Sequence, residues 1–154
     1  MPRKKDTDSV SRWARFSTEQ LATIGDIELA VLKIHLVLED ALKFVLAKRL
    51  GVPDDAFFDL RIEFYKLLDI SMAGINKPHL VGALRKLNEA RNHISHRVAS
   101  AEVSDKLATF VQEAGRATQQ LLSWPPDTTK RLAILQTCLD GTAVALFEIA
   151  WDQE

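Results

Sequence analysis

The feature that most constrains this chain is a helical pattern running from Ser17 to Leu50, where Gly51 supplies a stop and Pro53 prevents continuation. Ser17 can cap that helix, and Gln20 three residues later completes a capping-box pattern. At about 100° per residue, the polar positions Glu28, Lys33, His35, Glu39, Asp40 and Lys43 return to one sector. The rest is Ile, Leu, Val, Ala and Phe, a wider apolar face than an ordinary surface helix carries. A helix of this kind needs partners on more than one side, and a second subunit is expected to cover part of it.

Downstream punctuation repeats the theme. Asp54 or Asp55 can cap a second helix through Phe57, Phe58, Leu60, Ile62, Phe64, Leu67, Leu68 and Ile70, ended by Gly74. Pro78, pre-set for a first turn, starts a third, and a fourth runs from about Ala101 to Leu122 before Trp124-Pro125-Pro126. Asp127 or Thr128 caps a fifth that continues towards Trp151. No segment alternates with period two between turn residues, so no strands are predicted. The expected fold is all-α, a single-domain bundle of about five helices with a long N-terminal helix, spanning residues 17–154. Residues 1–16 are expected to be a disordered or loosely packed arm. Their charged cluster Arg3-Lys4-Lys5-Asp6 has no apolar segment behind it and does not read as a secretory signal.

A length of 154 residues suffices for one buried core. The formal net charge of −1 excludes a protein coated in basic surface, so any nucleic-acid contact must be local. The single cysteine, Cys138, excludes an internal disulfide framework and reads as an inert thiol in an apolar helical pattern. No apolar run reaches the length of a membrane span, and a cytoplasmic protein with no membrane partner is expected.

Against that even background one segment stands out. Lys77 to Arg97 holds Lys77, Arg85, Lys86, Arg91 and Arg97 against the single acid Glu89, together with His79, His93 and His96, three of the four histidines. With Leu80 at zero on a helical wheel, Leu84, Leu87, Ile94 and Val98 cluster about it and Arg91 falls in the middle of their stripe. Asn92 and His96 fall on the opposite side with Arg85 and Glu89. A guanidinium cannot shed its charge, so Arg91 must find a carboxylate, carbonyls, a phosphate or a wet cleft. Glu39, Asp40 and Asp69 are the candidate carboxylates. Two readings are open: an ion pair that fixes helix register, or an anion site at a cleft between helices or subunits. On a straight helix Arg91 and His96 point about 140° apart. For both to face one atom, either the helix loosens near Ser95 or a two-fold partner brings a second copy into a shared cleft.

The spacing of His93 and His96 could bring two imidazoles towards one metal, but no Cys or further His stands where zinc would need it, and no metal or cofactor is implied. His35 and Glu39 are i,i+4 neighbours and read as a surface pair able to orient an imidazole. Phe57, Phe58, Phe64 and Tyr65 read as core and interface filling, and Trp13 and Phe16 as a lid or staple.

Arg91-Asn92-His93-Ile94-Ser95-His96 resembles the R-x4-6-H motif of the HEPN superfamily, including the polar residue that commonly follows the arginine. The mid-helix acidic pair Glu39-Asp40, the segment Phe57-Phe58-Asp59-Leu60 and the lead-in Ala83 to Asn88 are also similar, over roughly residues 20 to 122. The resemblance implies a dimeric four- or five-helix bundle, and many such proteins are metal-independent endoribonucleases of toxin–antitoxin, antiphage or RNA-processing systems. It implies Arg91 and His96 as the catalytic pair in a dimer-interface cleft and Asn92 as their support, with RNA as substrate and an antitoxin or other protein as a possible partner. RNA carries its own nucleophile, the 2′-hydroxyl beside the scissile phosphate. An imidazole can move the proton near neutral pH while a guanidinium clamps the phosphate oxygens. His93 offers a second imidazole for the same task, and Arg85, Lys86 and Arg97 would attract the substrate. Other members of the superfamily are inactive scaffolds, and the motif with its lead-in is also similar to the mannitol-repressor family, whose members regulate by binding partners. The alternative is therefore a catalytically silent all-α dimer acting as a protein- or nucleotide-binding or regulatory module.

Overall fold

A computed structural model describes residues 25–97 and 99–153, and these form five α-helices and no strand. They are α1 (Ile27–Leu50), α2 (Phe64–Ser71), α3 (Pro78–Ser95), α4 (Ser100–Ala117) and α5 (Thr128–Trp151). The all-α bundle is as the periodicity predicts. The arm at 1–16, the Ser17 cap, Gln20, Trp13 and Phe16 lie outside the described residues.

The helix expected to run unbroken from Ser17 instead begins at Ile27. Gly25 and Asp26 are not helical, and the Asp26 carboxylate accepts hydrogen bonds from the N–H groups of Glu28 (2.7 Å) and Leu29 (3.2 Å). Two of the unpaired donors at a helix start are thereby satisfied, and Glu28 in the first turn complements the dipole. At the other end Gly51 takes the left-handed conformation (φ 65°). Its N–H bonds to the Lys48 carbonyl at 3.2 Å and that of Val52 to Ala47 at 3.1 Å, the paired bonds of a Schellman stop.

From Ala41 to Ala47 every residue of α1 is buried, which places the helix at the centre of the bundle. It packs on α5 along one side and on α2 and α3 along others. Phe44 meets Phe147 edge-on with ring centres 5.6 Å apart, and Phe147 stacks on Trp151 at 6.0 Å. Burying a side chain such as Phe44 contributes about 1.5–3 kcal/mol. The surplus apolar face of α1 is thus largely covered within the chain, and Leu29, Leu36 and Leu50 remain its exposed large apolar residues.

The second helix is shorter than expected. Residues 54 to 59 form separate turns, with Ala56 N–H on Pro53, Phe58 N–H on Asp55 and Leu60 N–H on Phe57, and residues 60 to 63 are irregular. Asp54 pairs with Lys48 at 3.0 Å, and the Lys43 ammonium donates to the Phe58 carbonyl at 3.3 Å. These contacts tie the segment to α1 in place of a helical ladder, and α2 starts only at Phe64. It ends at Ser71, three residues before Gly74. The Ser71 hydroxyl donates to the Leu42 carbonyl (3.1 Å), and Arg49 donates to the Ser71 carbonyl (2.9 Å), docking α2 on α1.

Helices α3 and α4 form a tight antiparallel hairpin, and α4 stops at Ala117 rather than Leu122. Gln119 is left-handed (φ 58°), and the Gln120 N–H reaches back to the Gly115 carbonyl at 2.7 Å. A Cβ on Gly115 would stand 2.6 Å from the Gln120 carbonyl oxygen and 3.2 Å from the Leu122 nitrogen, both backbone atoms with little freedom to yield. Gly115→Ala is expected to lower stability by about 1–3 kcal/mol, read as a shift of the denaturant midpoint. A midpoint equal to the parent's would mean that the connector does not close back on α4. The connector is further fixed by Arg131, whose guanidinium lies 4.9 Å from the Trp124 ring centre and donates to the Pro125 carbonyl.

The carboxylate of Asp127 caps α5 through the Lys130 N–H (3.0 Å). By length and composition α5 is long and apolar enough to cross a membrane, with mean hydropathy 1.5 over its window. Its buried residues, among them Leu135, Leu139, Leu146 and Phe147, belong to the common core. Cys138 is buried there, and burial pushes its thiol up to about 12, so it is not ionised at neutral pH.

Candidate functional site

Helix α3 positions the site. Pro78 occupies its first turn, and Leu80, Ala83, Leu84, Leu87 and Ala90 are buried along one face, as the wheel places them. That face sets the rotation of the helix and with it the direction of every polar residue on it. The helix is regular to Ser95. His96 is the C-cap (φ −93°, ψ 8°), yet its N–H still bonds to the Asn92 carbonyl at 2.9 Å. Arg97 is left-handed at φ 54°, a conformation that a non-glycine residue takes at a cost. The loosening therefore comes after the His96 Cα is in place and does not swing His96 round towards Arg91.

Arg91 is half-buried on the apolar stripe. Its guanidinium donates to the side-chain oxygen of Asn92 at 3.2 Å, and among the described residues no carboxylate stands within ion-pair distance of it. The three carboxylates expected to compete for it lie elsewhere. Glu39 is partly buried and faces Lys43 at 3.5 Å, Asp69 pairs with Arg85 at 3.1 Å, and Asp40 is exposed on α1. The ion-pair reading of Arg91 is corrected by that geometry: a half-buried cation is held beside a neutral amide, with donor capacity left over.

Structure and sequence differ most at His35. It was expected to pair with Glu39 on the surface, but it is 4 % exposed, because α2 and α3 cover that side of α1. Its Nε2 stands 3.0 Å from the side-chain oxygen of Asn88 on α3, and its ring lies 4.2 Å from that of Phe64 at 35°. Burial lowers its pKa from 6.5 to about 4, outweighing the hydrogen bond to Asn88, which raises it; the charge of Arg91 lowers it further. The ring is therefore neutral at physiological pH, and since an amide oxygen only accepts, Nε2 carries the proton. His35 and Asn88 connect α1 to the helix of the motif. Periodicity within one helix could not pair them, because each is polar on a helix whose facing partner is unknown until the bundle is assembled.

The other expected residues divide by environment. His93 is partly buried, and its Nδ1 is a buried nitrogen with no hydrogen-bond partner. His96 and Arg97 are exposed. Lys86 lies 3.2 Å from Glu89, which also binds Lys106 at 2.8 Å, and the two hydrogen-bonded lysines hold the Glu89 carboxyl below its usual range despite desolvation. Of the basic segment, Arg85 and Lys86 thus sit beside acids, while among the described residues Lys77, Arg91 and Arg97 have no carboxylate at ion-pair distance. His79 is hydrogen-bonded to Glu113 at 2.8 Å, away from the motif at the start of α3. Among the described residues no three of His, Cys, Asp and Glu gather so as to hold a metal ion.

The arrangement can bind an anion at Arg91 and Asn92 and can move a proton at the exposed imidazole of His96. Within one chain these two groups project to different sides of α3. Compared with protein-family models, curated proteins and solved structures, the chain has no significant match to any of them.

Proposed function

We propose that this protein is a metal-independent endoribonuclease of the HEPN type, acting as a homodimer and serving as a toxin or antiphage effector. The observation that carries this reading is Arg91, a half-buried guanidinium with no carboxylate beside it among the described residues, set one residue before a supporting amide and five before an exposed histidine. A half-buried cation with no counter-ion among the described residues is suited to an external anion, whose attraction is strengthened where part of the surrounding water is excluded. On this reading Arg91 and Asn92 bind the scissile phosphate. The 2′-hydroxyl attacks phosphorus as the P–O5′ bond breaks, leaving a 2′,3′-cyclic phosphate and a free 5′-hydroxyl, and His96 takes the 2′-proton or supplies one to the departing 5′-oxygen. Because Arg91 and His96 diverge along one helix, the cleft combines Arg91 of one copy with His96 of the other. The exposed Arg97 draws the strand in.

The test is cleavage of single-stranded RNA by purified protein in EDTA, with His96→Ala silent and the wild-type protein dimeric. Turnover by His96→Ala at the parental rate would overturn the assignment. A second reading, a catalytically silent module that binds a protein or nucleotide, is favoured by the neutralisation of Arg85 and Lys86 by Asp69 and Glu89, which trims the attraction expected of a nuclease surface. It predicts binding without cleavage.

A further inference from the structure

We infer that the groove between α2 and α3, next to the motif, is a subsite for one unpaired nucleobase of the substrate strand, a reading that rests on RNA being the substrate. The groove has a volume of about 370 Å³, within the range of small-ligand pockets. Its floor is Phe64 and Leu68, both buried, and one wall is Tyr65, an aromatic ring left 49 % exposed. Asn88 supplies a side-chain amide to the lining, and Arg85, Asp69 and Glu89 complete the rim.

Three properties select a flat heteroaromatic ring. An exposed tyrosine over an apolar floor offers a stacking surface, which any base can use. The Asn88 amide is held in place by the neutral ring of His35, itself braced by Phe64, so its NH2 group is pre-positioned to donate to a base edge. The rim cations are engaged: Arg85 stands 3.1 Å from Asp69, and Lys86 and Lys106 both hold Glu89. A phosphate would find no free cation at this rim, whereas an uncharged ring meets no repulsion. Asn88 and Asn92 are four residues apart on α3, about 6 Å along the axis, so a base in the groove belongs to a nucleotide adjoining the phosphate at Arg91.

Tyr65 can be removed without opening the core. The probe is a short fluorescent oligoribonucleotide methylated at every 2′-oxygen, which cannot be cleaved, alongside an abasic strand of equal length. Tyr65→Ala is expected to weaken binding of the base-bearing strand by about tenfold, with Tyr65→Phe at parental affinity and the abasic strand bound equally by all three. Equal affinity of Tyr65→Ala and parent for the base-bearing strand, or an equal loss with the abasic one, overturns the subsite. RNA cleavage in EDTA is measured in parallel. Cleavage whose KM ignores Tyr65 sinks the subsite and keeps the nuclease; Tyr65-dependent binding without cleavage does the reverse.

Discussion

Arg91→Ala is expected to abolish RNA cleavage in EDTA, a loss of at least about a hundredfold in rate, while the protein keeps its fold. The rate expectation follows from removing a preorganised donor to the charge that grows on phosphorus, a change of the order of 10²–10³ in comparable sites. The stability expectation follows from what Arg91 touches. Truncating one member of a buried ion pair strands its partner and costs about 3–5 kcal/mol. Arg91 has no such partner. It leaves behind the neutral oxygen of Asn92, a loss of about 0.5–1.5 kcal/mol that water can partly replace at a half-buried site. Melting curves beside activity assays separate the two outcomes. A collapse in melting temperature would make Arg91 a structural tie and remove the main support for the nuclease, whereas parental cleavage by a folded Arg91→Ala would dismiss its phosphate role.

The second large effect is in stability against pH. The His35 imidazole titrates near 6.5 in an unfolded chain and about 4 in the folded one. Between those values the unfolded chain holds a proton that the folded chain refuses, so stability is full above pH 6.5 and is lost as the pH falls towards 4. Each unit of that interval is worth about 1.4 kcal/mol, or about 3 kcal/mol over the whole of it. His35→Gln cannot titrate there. Measured by chemical denaturation at pH 7.5 and pH 4.5, the advantage of the parent over His35→Gln is expected to shrink by about 2–3 kcal/mol, the carboxylates common to both proteins cancelling in the difference. An advantage that stays constant across this range would mean that His35 is hydrated or charged in the native state.

Both predictions turn on residues of unequal legibility. Arg91 was visible as a site candidate because it interrupts an apolar stripe, and a stripe is a property of one helix read along itself. Its lack of a carboxylate was not visible, since Glu39, Asp40 and Asp69 were all plausible until Lys43 and Arg85 were seen to take two of them. His35 was misread as a surface residue beside Glu39. Its polarity suggested solvent, but the facing helices cover it and supply Asn88 as its partner. Phe64 and Tyr65 read together as core and interface filling; being adjacent on α2 they face different ways, Phe64 inward onto His35 and Tyr65 towards the groove, a division that only the packed bundle shows.

The boundaries follow the same division. Pro78 and Asp127 mark the helix starts the sequence proposed, and Gly51 the stop, because a cap acts on residues within one turn of itself. The segment from Asp54 to Glu63 and the end of α4 were misplaced because distant atoms decide them: Lys43 on the Phe58 carbonyl, Lys48 on Asp54, and the Gln120 backbone closing over Gly115. Local periodicity and capping chemistry, which act over three or four residues, were enough to establish an all-α bundle and to single out the basic helix end. Which polar groups are desolvated, which cations are left without a counter-ion and which aromatic ring lines a groove depend on contacts tens of residues apart in the chain. Those were decided only when the helices packed.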